Sequence, residues 1–335
     1  MRQWLSVLGV FLLFLACGNR IGKFPFSESR ILMDTVVRIS VFDTKLSRKR
    51  VQKILDLAFQ EMALIESRTS IHVDSSDIYR IEEAGQKPVS VSPDTYRILN
   101  EAQSISVMTD GAFDVTIGGV KEIWKFDSVQ PEVPEYDLLQ TRLSSVGYKT
   151  LSLTDNHVFI NHRGVHLDLG GVAKGYIIDC GVAVLRKMGI LAGIVDAGGD
   201  MRLFGYHPDR DVWYVGIQHP RAPRGELLAE LHLPETCIAT SGDYERYFIQ
   251  DGIRYHHILD PKTGLPVRHC VSVTIVTESA IQADAFATAV FVMGPEKGMD
   301  FIEKNPSLEG VIIYEEEGRL LNIVSSGLQQ NVLFH

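Results

Sequence analysis

Cysteine is scarce in this chain. There are four in 335 residues, and Cys180, Cys237 and Cys270 stand far apart, outside any CxxC or mixed His/Cys cluster. That spacing excludes a disulfide framework and a structural zinc site, and leaves these three as small buried hydrophobes. Basic charge is short as well: 33 Lys and Arg stand against 42 Asp and Glu, for a net charge of −9. With no basic cluster and no aromatic stacking platform, nucleic-acid binding is excluded as a function class. No apolar run reaches the roughly 20 residues that a membrane-spanning helix requires. A Walker A loop, a GxGxxG turn and a GxSxG elbow are all missing, so neither the familiar nucleotide folds nor serine-hydrolase chemistry is indicated.

A shorter apolar run does stand at the amino end. Met1-Arg2-Gln3 leads into Trp4 to Ala16, interrupted only by Ser6 and Gly9. A basic start followed by roughly a dozen apolar residues has the form of a secretory signal. Leu13-Phe14-Leu15-Ala16-Cys17-Gly18 resembles the bacterial lipobox, whose cysteine is lipidated after cleavage, with Phe14 where leucine is usual. The plainer alternative is an ordinary signal peptide with an incidental Cys17. The expected organisation is a lipoprotein signal over 1–16, an anchor and linker over 17–29, and a folded domain over 30–335. With 45% hydrophobic residues in the whole chain, that domain has ample material for a large core.

Hydrophobic period assigns most elements. Ile31 to Phe42 reads as one strand, and Lys45 to Ser67 as a helix buried along Val51, Ile54, Leu55, Ala58, Met62 and Ile65. Ser92-Pro93-Asp94 is a strong helix start, with a capping serine, a proline at the first helical position and an acid in the first turn. Lys149 to Leu169 alternates as strands, and helical pattern resumes from Ile177 to Met188. Beyond that, hairpin-linked strands and helices come in blocks, with Asp251-Gly252 as a tight-turn dipeptide. That order predicts an α+β fold rather than a doubly wound parallel sheet.

Four constellations carry potential chemistry. Val165 to Tyr176 runs from alternating apolar residues through Asp168, Gly170, Gly171 and Lys174 into a helix. A strand, a glycine turn and a helix N-terminus suit a phosphate or pyrophosphate, and equally suit an ordinary structural turn. Asp284 and Thr288 are four apart among alanines, on one helix face. Two hard oxygen donors with room around them suit Mg²⁺; the alternative is a helix-dipole aspartate and a threonine bonding back to a carbonyl. His256 and His257 follow each other late in a strand, so they face opposite ways and only one can enter a given site. Thr240 to Tyr247 is dense in polar groups and reads equally as a substrate loop or a capped turn.

In this order the segments resemble the ApbE family of FAD:protein FMN transferases. The matching stretches are Met33-Asp34-Thr35, Thr109 to Asp114, Asp168 to Gly175, Asp196 to Asp200, Thr240 to Tyr244, His256 to Pro261 and Ala283 to Thr288. The resemblance implies an α+β fold of mixed and antiparallel sheets with packed helices, in two intertwined lobes. It implies that FAD is the substrate and Mg²⁺ the cofactor. FMN passes to a threonine hydroxyl of a target protein, with release of AMP. Targets would be flavin-carrying subunits of membrane electron-transfer complexes, reached from the periplasmic side of a bacterial membrane, read as the inner one, through the lipid anchor. Carried over residue by residue, Gly171, Asp284 and Thr288 hold the metal. Met33, Ala112, Phe113, Asp114, Asp168, Lys174 and Ile258 line the FAD site, and His257 accepts the proton as an imidazole titrating near neutrality. Two departures are visible: Asp34 replaces a usual glycine, and Ser70-Ile71-His72-Val73-Asp74 lacks the tyrosine that covers the flavin in transferring members. FAD hydrolysis to FMN and AMP, and flavin binding without chemistry, therefore stand as alternative activities.

Overall fold

A computed structural model describes residues 25–42, 45–126 and 128–335. The expected export signal and Cys17 lie outside the described residues.

The fold opens with β1 (Phe26–Leu32) and β2 (Thr35–Phe42), paired antiparallel with Leu32 opposite Thr35. The single strand expected from Ile31 is thus a hairpin, and it starts inside the stretch assigned to the linker. The cause is local: Met33 and Asp34 both take positive φ, 53° and 55°, as a two-residue type I′ turn demands. Next come α1 (Arg48–Thr69), α2 (Asp77–Ala84), β3 (Val89–Ser90) and α3 (Pro93–Met108). Ser47 and Ser92 cap α1 and α3 by accepting from backbone N–H groups, and the predicted stripe of α1 is buried. Helices α4 (Gly118–Trp124) and α5 (Tyr136–Leu143) precede the small strands β4 (Leu151–Thr154) and β5 (His157–Ile160).

Helix α6 (Ala173–Lys187) leads to β6 (Ala192–Ala197) and β7 (Asp200–Phe204), then β8 (Trp213–Gln218), β9 (Leu227–Leu233) and β10 (Thr236–Gly242). A two-stranded hairpin follows, β11 (Tyr247–Gln250) and β12 (Ile253–His256), turning on Asp251 and Gly252, both at positive φ. The chain closes with β13 (Ser272–Thr277), α7 (Ala280–Met293), α8 (Pro295–Glu303), β14 (Glu309–Glu316), β15 (Arg319–Val324) and β16 (Val332–Phe334).

The main sheet runs β1-β2-β6-β7-β10-β13-β14-β15, antiparallel throughout, as the α+β reading requires. Helices α1, α6, α7 and α8 pack on one face, with Ile39, Ile54, Phe59, Val182, Ile275 and Phe291 in that core. Sheet β8-β9-β16 covers the other face through Trp213, Val215, Leu231 and Val311. A small third cluster of Val120, Trp124, Leu139 and Leu259 ties α4 and α5 to the chain just after β12. Cys180, Cys237 and Cys270 are free, and burial holds their thiols protonated, at about 11, 12 and 12.

Candidate active site

Helix α7 is apolar on almost every side, the composition of a helix buried all round. Its few polar residues, Gln282, Asp284 and Thr288, therefore need specific partners. Asp284 is 5% exposed. Its Oδ2 accepts from the Gly175 backbone N–H at 3.1 Å, and its Oδ1 lies 3.9 Å from Lys174 Nζ. It is not a first-turn dipole residue: its partners come from another helix. Thr288 Oγ1 is 3.3 Å from Ser241 Oγ and makes a long, 3.5 Å back-bond to the Asp284 carbonyl, so part of the bland reading holds for threonine. A Cβ on Gly171 would fall 3.1 Å from Thr288 Oγ1 and 3.3 Å from the Phe113 ring. A side chain there would need Thr288 or Phe113 to give by a few tenths of an ångström, and Gly171 lies against Thr288.

The glycine turn is entered by an irregular segment, not by the predicted strand. Val165 to Leu169 holds one bridge, Ile117 to His166, supported by Gly118 N–H to the His166 carbonyl, Asp168 N–H to the Val115 carbonyl and Leu167 N–H to Glu82 Oε1. Helix α6 then begins at Ala173, earlier than its apolar period indicates, so Lys174 and Gly175 sit in its first turn. Gly175 is there for close approach: a Cβ would lie 2.7 Å from Ile281 Cα and closer still to the Ala280 carbonyl oxygen.

Two ammonium groups straddle this turn. Lys174 binds Asp200, whose other oxygen accepts from Thr240 N–H at 3.1 Å. Burial disfavours its charge, yet Asp200 and Asp284 outweigh burial and hold its pKa above the ordinary lysine value. With Lys174 committed to Asp200, Asp284 is short of positive charge. Desolvation, with Asp200 and Asp168 nearby, drives its pKa far above the usual carboxylate range. On the other side, Lys121 of α4 pairs with Asp168, which also accepts from Gly170 N–H at 2.9 Å. Burial pushes the Asp168 carboxyl up, but Lys121 and that N–H prevail and lower it.

The histidines divide as alternation predicts. His256 is buried: its Nε2 is 2.6 Å from the Val267 carbonyl, its Nδ1 accepts from Ile258 N–H at 3.3 Å, and its ring meets Phe291 edge-on. It is structural. His257 is half-buried, with its backbone N–H and Nδ1 both directed to the Arg246 carbonyl. Desolvation first, then Lys121, His256 and Arg246, push its pKa down to about 3.

Of the other expected FAD residues, Met33 sits in the β1–β2 turn with its N–H on Glu66 Oε1 at 2.6 Å. Ala112 and Phe113 precede α4, and Phe113 packs beside Gly171. Asp114 has both oxygens taken by Thr116 and by the Tyr148 N–H, and Thr116 Oγ1 in turn accepts from Gly147 N–H, so it holds the loop in shape. Ile258 is buried directly after the two histidines. Among Thr240 to Tyr247, Ser241 faces Thr288, while Asp243 forms a bidentate pair with Arg221 at 2.7 Å: one side serves the site, the other the scaffold.

Sequence reasoning missed Lys121, Asp200 as the partner of Lys174, and Asp179. The Asp179 carboxylate accepts from Ala280 N–H at 3.1 Å and Ser279 Oγ at 3.3 Å, capping α7 from a neighbouring helix. No spacing rule signals a cap that arrives from a hundred residues away.

The sequence model of the ApbE family matches residues 33–312. An FAD:protein FMN transferase of Vibrio cholerae is 31% identical over 328 residues, 95% of this chain and 96% of its own length. One of Treponema pallidum is 29% identical over 319 residues, 90% and 88% of the two chains. Among solved structures, the ApbE protein of Thermotoga maritima superposes with a TM-score of 0.83 at 33% identity, over 92% of this chain and 99% of that one. The flavin transferase ApbE from Vibrio cholerae gives 0.82 at 29% identity, over the same shares.

Proposed function

The chain belongs to the ApbE family, and from that membership we propose how its site works. It is a transferase that moves FMN from FAD to a protein acceptor. The observation that carries the reading of the site is the buried, under-compensated Asp284 facing a glycine turn, with Thr288 and Gly171 against each other.

Mg²⁺ fits that donor set. Among the described residues no three His, Cys, Asp or Glu side chains converge on one point, so no all-protein cage exists. One carboxylate, one hydroxyl and one carbonyl, completed by substrate phosphates and water, match how Mg²⁺ is usually held. Asp284, Thr288 and the Gly171 carbonyl would hold it, and when bound it would neutralise charge on the pyrophosphate. The rest falls to side chains. Asp168, Lys174, Met33, Phe113 and Ile258 orient FAD; positioning and charge compensation matter more in phosphoryl transfer than covalent participation. A threonine Oγ of the acceptor attacks the FMN-side phosphorus, the bond to the AMP oxygen breaks, AMP leaves, and His257 takes the hydroxyl proton.

Hydrolysis is favoured as a second activity by one observation. The loop after α1 carries Ser70 to Asp74, with no phenol or indole to shield the flavin. Water can then replace threonine as nucleophile. We also place the domain outside the cytoplasm, tethered through Cys17 to the inner membrane beside its electron-transfer acceptors. That placement rests on the signal-like run and the lipobox, and fractionation of wild type against Cys17→Ala tests it. The function is tested by incubating the protein with FAD and Mg²⁺, with and without a threonine-bearing acceptor, and following AMP, free FMN and acceptor mass. AMP release with an FMN mass added to the acceptor is expected. Unchanged FAD under every condition overturns the reading, and leaves flavin binding alone.

A further inference from the structure

The end of the main sheet remote from the flavin site has a character of its own. Register aligns Phe26, Val41, Gly193 and Phe204 in one row across β1, β2, β6 and β7. The starts of β1 and β6 and the ends of β2 and β7 therefore lie side by side, within about 15 Å at the usual spacing of strands. Leu191 and Tyr206 stand just beyond that row, 78% and 89% exposed. A Cβ on Gly205 would fall 2.0 Å from the Leu191 carbonyl oxygen, so the two loops that carry these tips are neighbours. Basic groups frame them. Helix α1 starts at this end, with the Arg48 guanidinium 5.6 Å from the centre of the Phe26 ring, and Lys45, Arg48, Lys49 and Arg50 are exposed. Helix α6 finishes here with Arg186 and Lys187, both exposed. Of the acids here, Glu235 pairs with Arg186, while Asp209 and Asp211 flank Arg210 in the β7–β8 loop. A basic end tipped with apolar side chains departs from a chain whose net charge is −9.

The site lies toward the opposite end. There Met33 and Asp34 turn β1 into β2, and Gly198 and Gly199 turn β6 into β7 beside Asp200. The length of β2, Thr35–Phe42, puts about 24 Å between the two ends. We infer that the end carrying Leu191 and Tyr206 is a bilayer-contact surface. These two side chains enter the headgroup layer of an anionic membrane, the basic groups of α1 and α6 lie over its phosphates, and the flavin site faces away from the lipid. Chain length and charge select this occupant. Only residues 18–24 separate Cys17 from Pro25, the residue before β1, and extended chain covers at most about 28 Å over that span. A lipid on Cys17 thus keeps this end, rather than the site, next to the membrane. One leucine and one tyrosine are too little apolar area for a stable protein interface, but a tyrosine suits the headgroup layer. Lys and Arg are drawn to anionic lipid within a Debye length. The inference rests on the Cys17 tether proposed above.

Two tryptophans report the two ends. Trp213 donates its Nε1–H to the Gly205 carbonyl at 3.0 Å, next to Tyr206. Trp124 is one turn along α4 from Lys121, which binds Asp168 of the glycine turn. The full chain, lipidated by its host, is placed in vesicles of phosphatidylglycerol and phosphatidylcholine that include lipids brominated near the headgroup. Trp124→Phe and Trp213→Phe chains separate the two emissions. Quenching of Trp213 with Trp124 emission retained is expected. Pure phosphatidylcholine, high salt, and the double variants Lys49→Glu/Arg50→Glu and Leu191→Ser/Tyr206→Ser should each restore Trp213 emission. The lipid and salt arms use the wild-type surface, and thermal unfolding checks that the exposed substitutions leave the fold intact. Equal quenching of both tryptophans, stronger quenching of Trp124, or no quenching of either overturns the inference. So does Trp213 quenching that ignores lipid charge and both double variants. If the wild type carries no lipid, the tether reading fails, while quenching of Trp213 by anionic vesicles added to the same chain still decides the contact.

Discussion

His256 and His257 are adjacent in sequence and opposite in consequence. His256 gives its Nε2–H to the Val267 carbonyl and accepts from Ile258 N–H at Nδ1, so the folded state has a place for the neutral ring only. Protonation at Nδ1 would set a hydrogen against the Ile258 N–H. Burial, the largest influence, lowers its folded pKa below 6.5. The sign follows by linkage: as pH falls below the unfolded value, the unfolded chain binds a proton that the native chain refuses, and stability falls. His257 acts in the same direction. The stability gap between wild type and His256→Gln, which cannot titrate, is therefore expected to shrink as pH drops from 7 to 5. Urea unfolding at each pH reads it directly. A gap that stays constant would show that His256 titrates alike in both states.

At the scale of elements, the decisive contact is between α6 and α7. Gly175 lets the two helices approach until its N–H reaches Asp284, and an added methyl would meet the backbone of Ala280 and Ile281. Backbone cannot swing aside as a flexible side chain can. Gly175→Ala should cost about 2–3 kcal/mol or more, the upper range of overpacking, seen as a lower midpoint in thermal or urea unfolding, and should also displace Asp284 and reduce FAD cleavage. Unchanged stability would mean that the helices have slack. How much of this was legible beforehand follows from the range of each interaction. The core stripe of α1, the Ser92 cap and the Asp251-Gly252 turn are decided within a few residues, and were read correctly. That Asp284 and Thr288 share one face of α7 follows from helical spacing alone. The β1–β2 hairpin is not legible locally because Met33, unlike Asp34, is an unusual residue for positive φ. The Val165 to Leu169 segment was misread because its alternation serves packing while its hydrogen bonds go to Val115, Gly118 and Glu82. Lys121, Asp179 and Asp200 act across long separations, and nothing local marks them.

For the whole molecule, the central fact is a buried site where carboxylates outnumber ammonium groups. Asp284, Asp200 and Asp168 lie in one region, with Lys174 bound to Asp200 and 3.9 Å from Asp284, and Lys121 bound to Asp168. Such a site is held together by the surrounding layers: the eight-stranded sheet, the helices on its face, and the cluster that ties α4 to the chain after β12. Like charges held close in a poorly solvated region oppose folding, and anything that binds there with positive charge relieves them. A ligand that binds only the native state stabilises it by about 2.7 kcal/mol at a hundredfold excess over its Kd. The pyrophosphate adds its own negative charge, so FAD and Mg²⁺ should each bind better in the presence of the other. In thermal unfolding, the upward shift in Tm with both together is therefore expected to exceed the sum of the shifts with each alone. Asp284→Asn removes the charge that calls for the cation while keeping the shape and an acceptor for Gly175 N–H. That variant should be at least as stable as wild type without ligands, retain part of the shift with FAD, and lose the extra gain on adding Mg²⁺. If the extra gain survives in Asp284→Asn, the cation is held elsewhere and the metal assignment to Asp284 is wrong. If FAD alone already gives the full shift in wild type, the charge of this site is balanced by its own lysines, and its excess of carboxylates has another purpose.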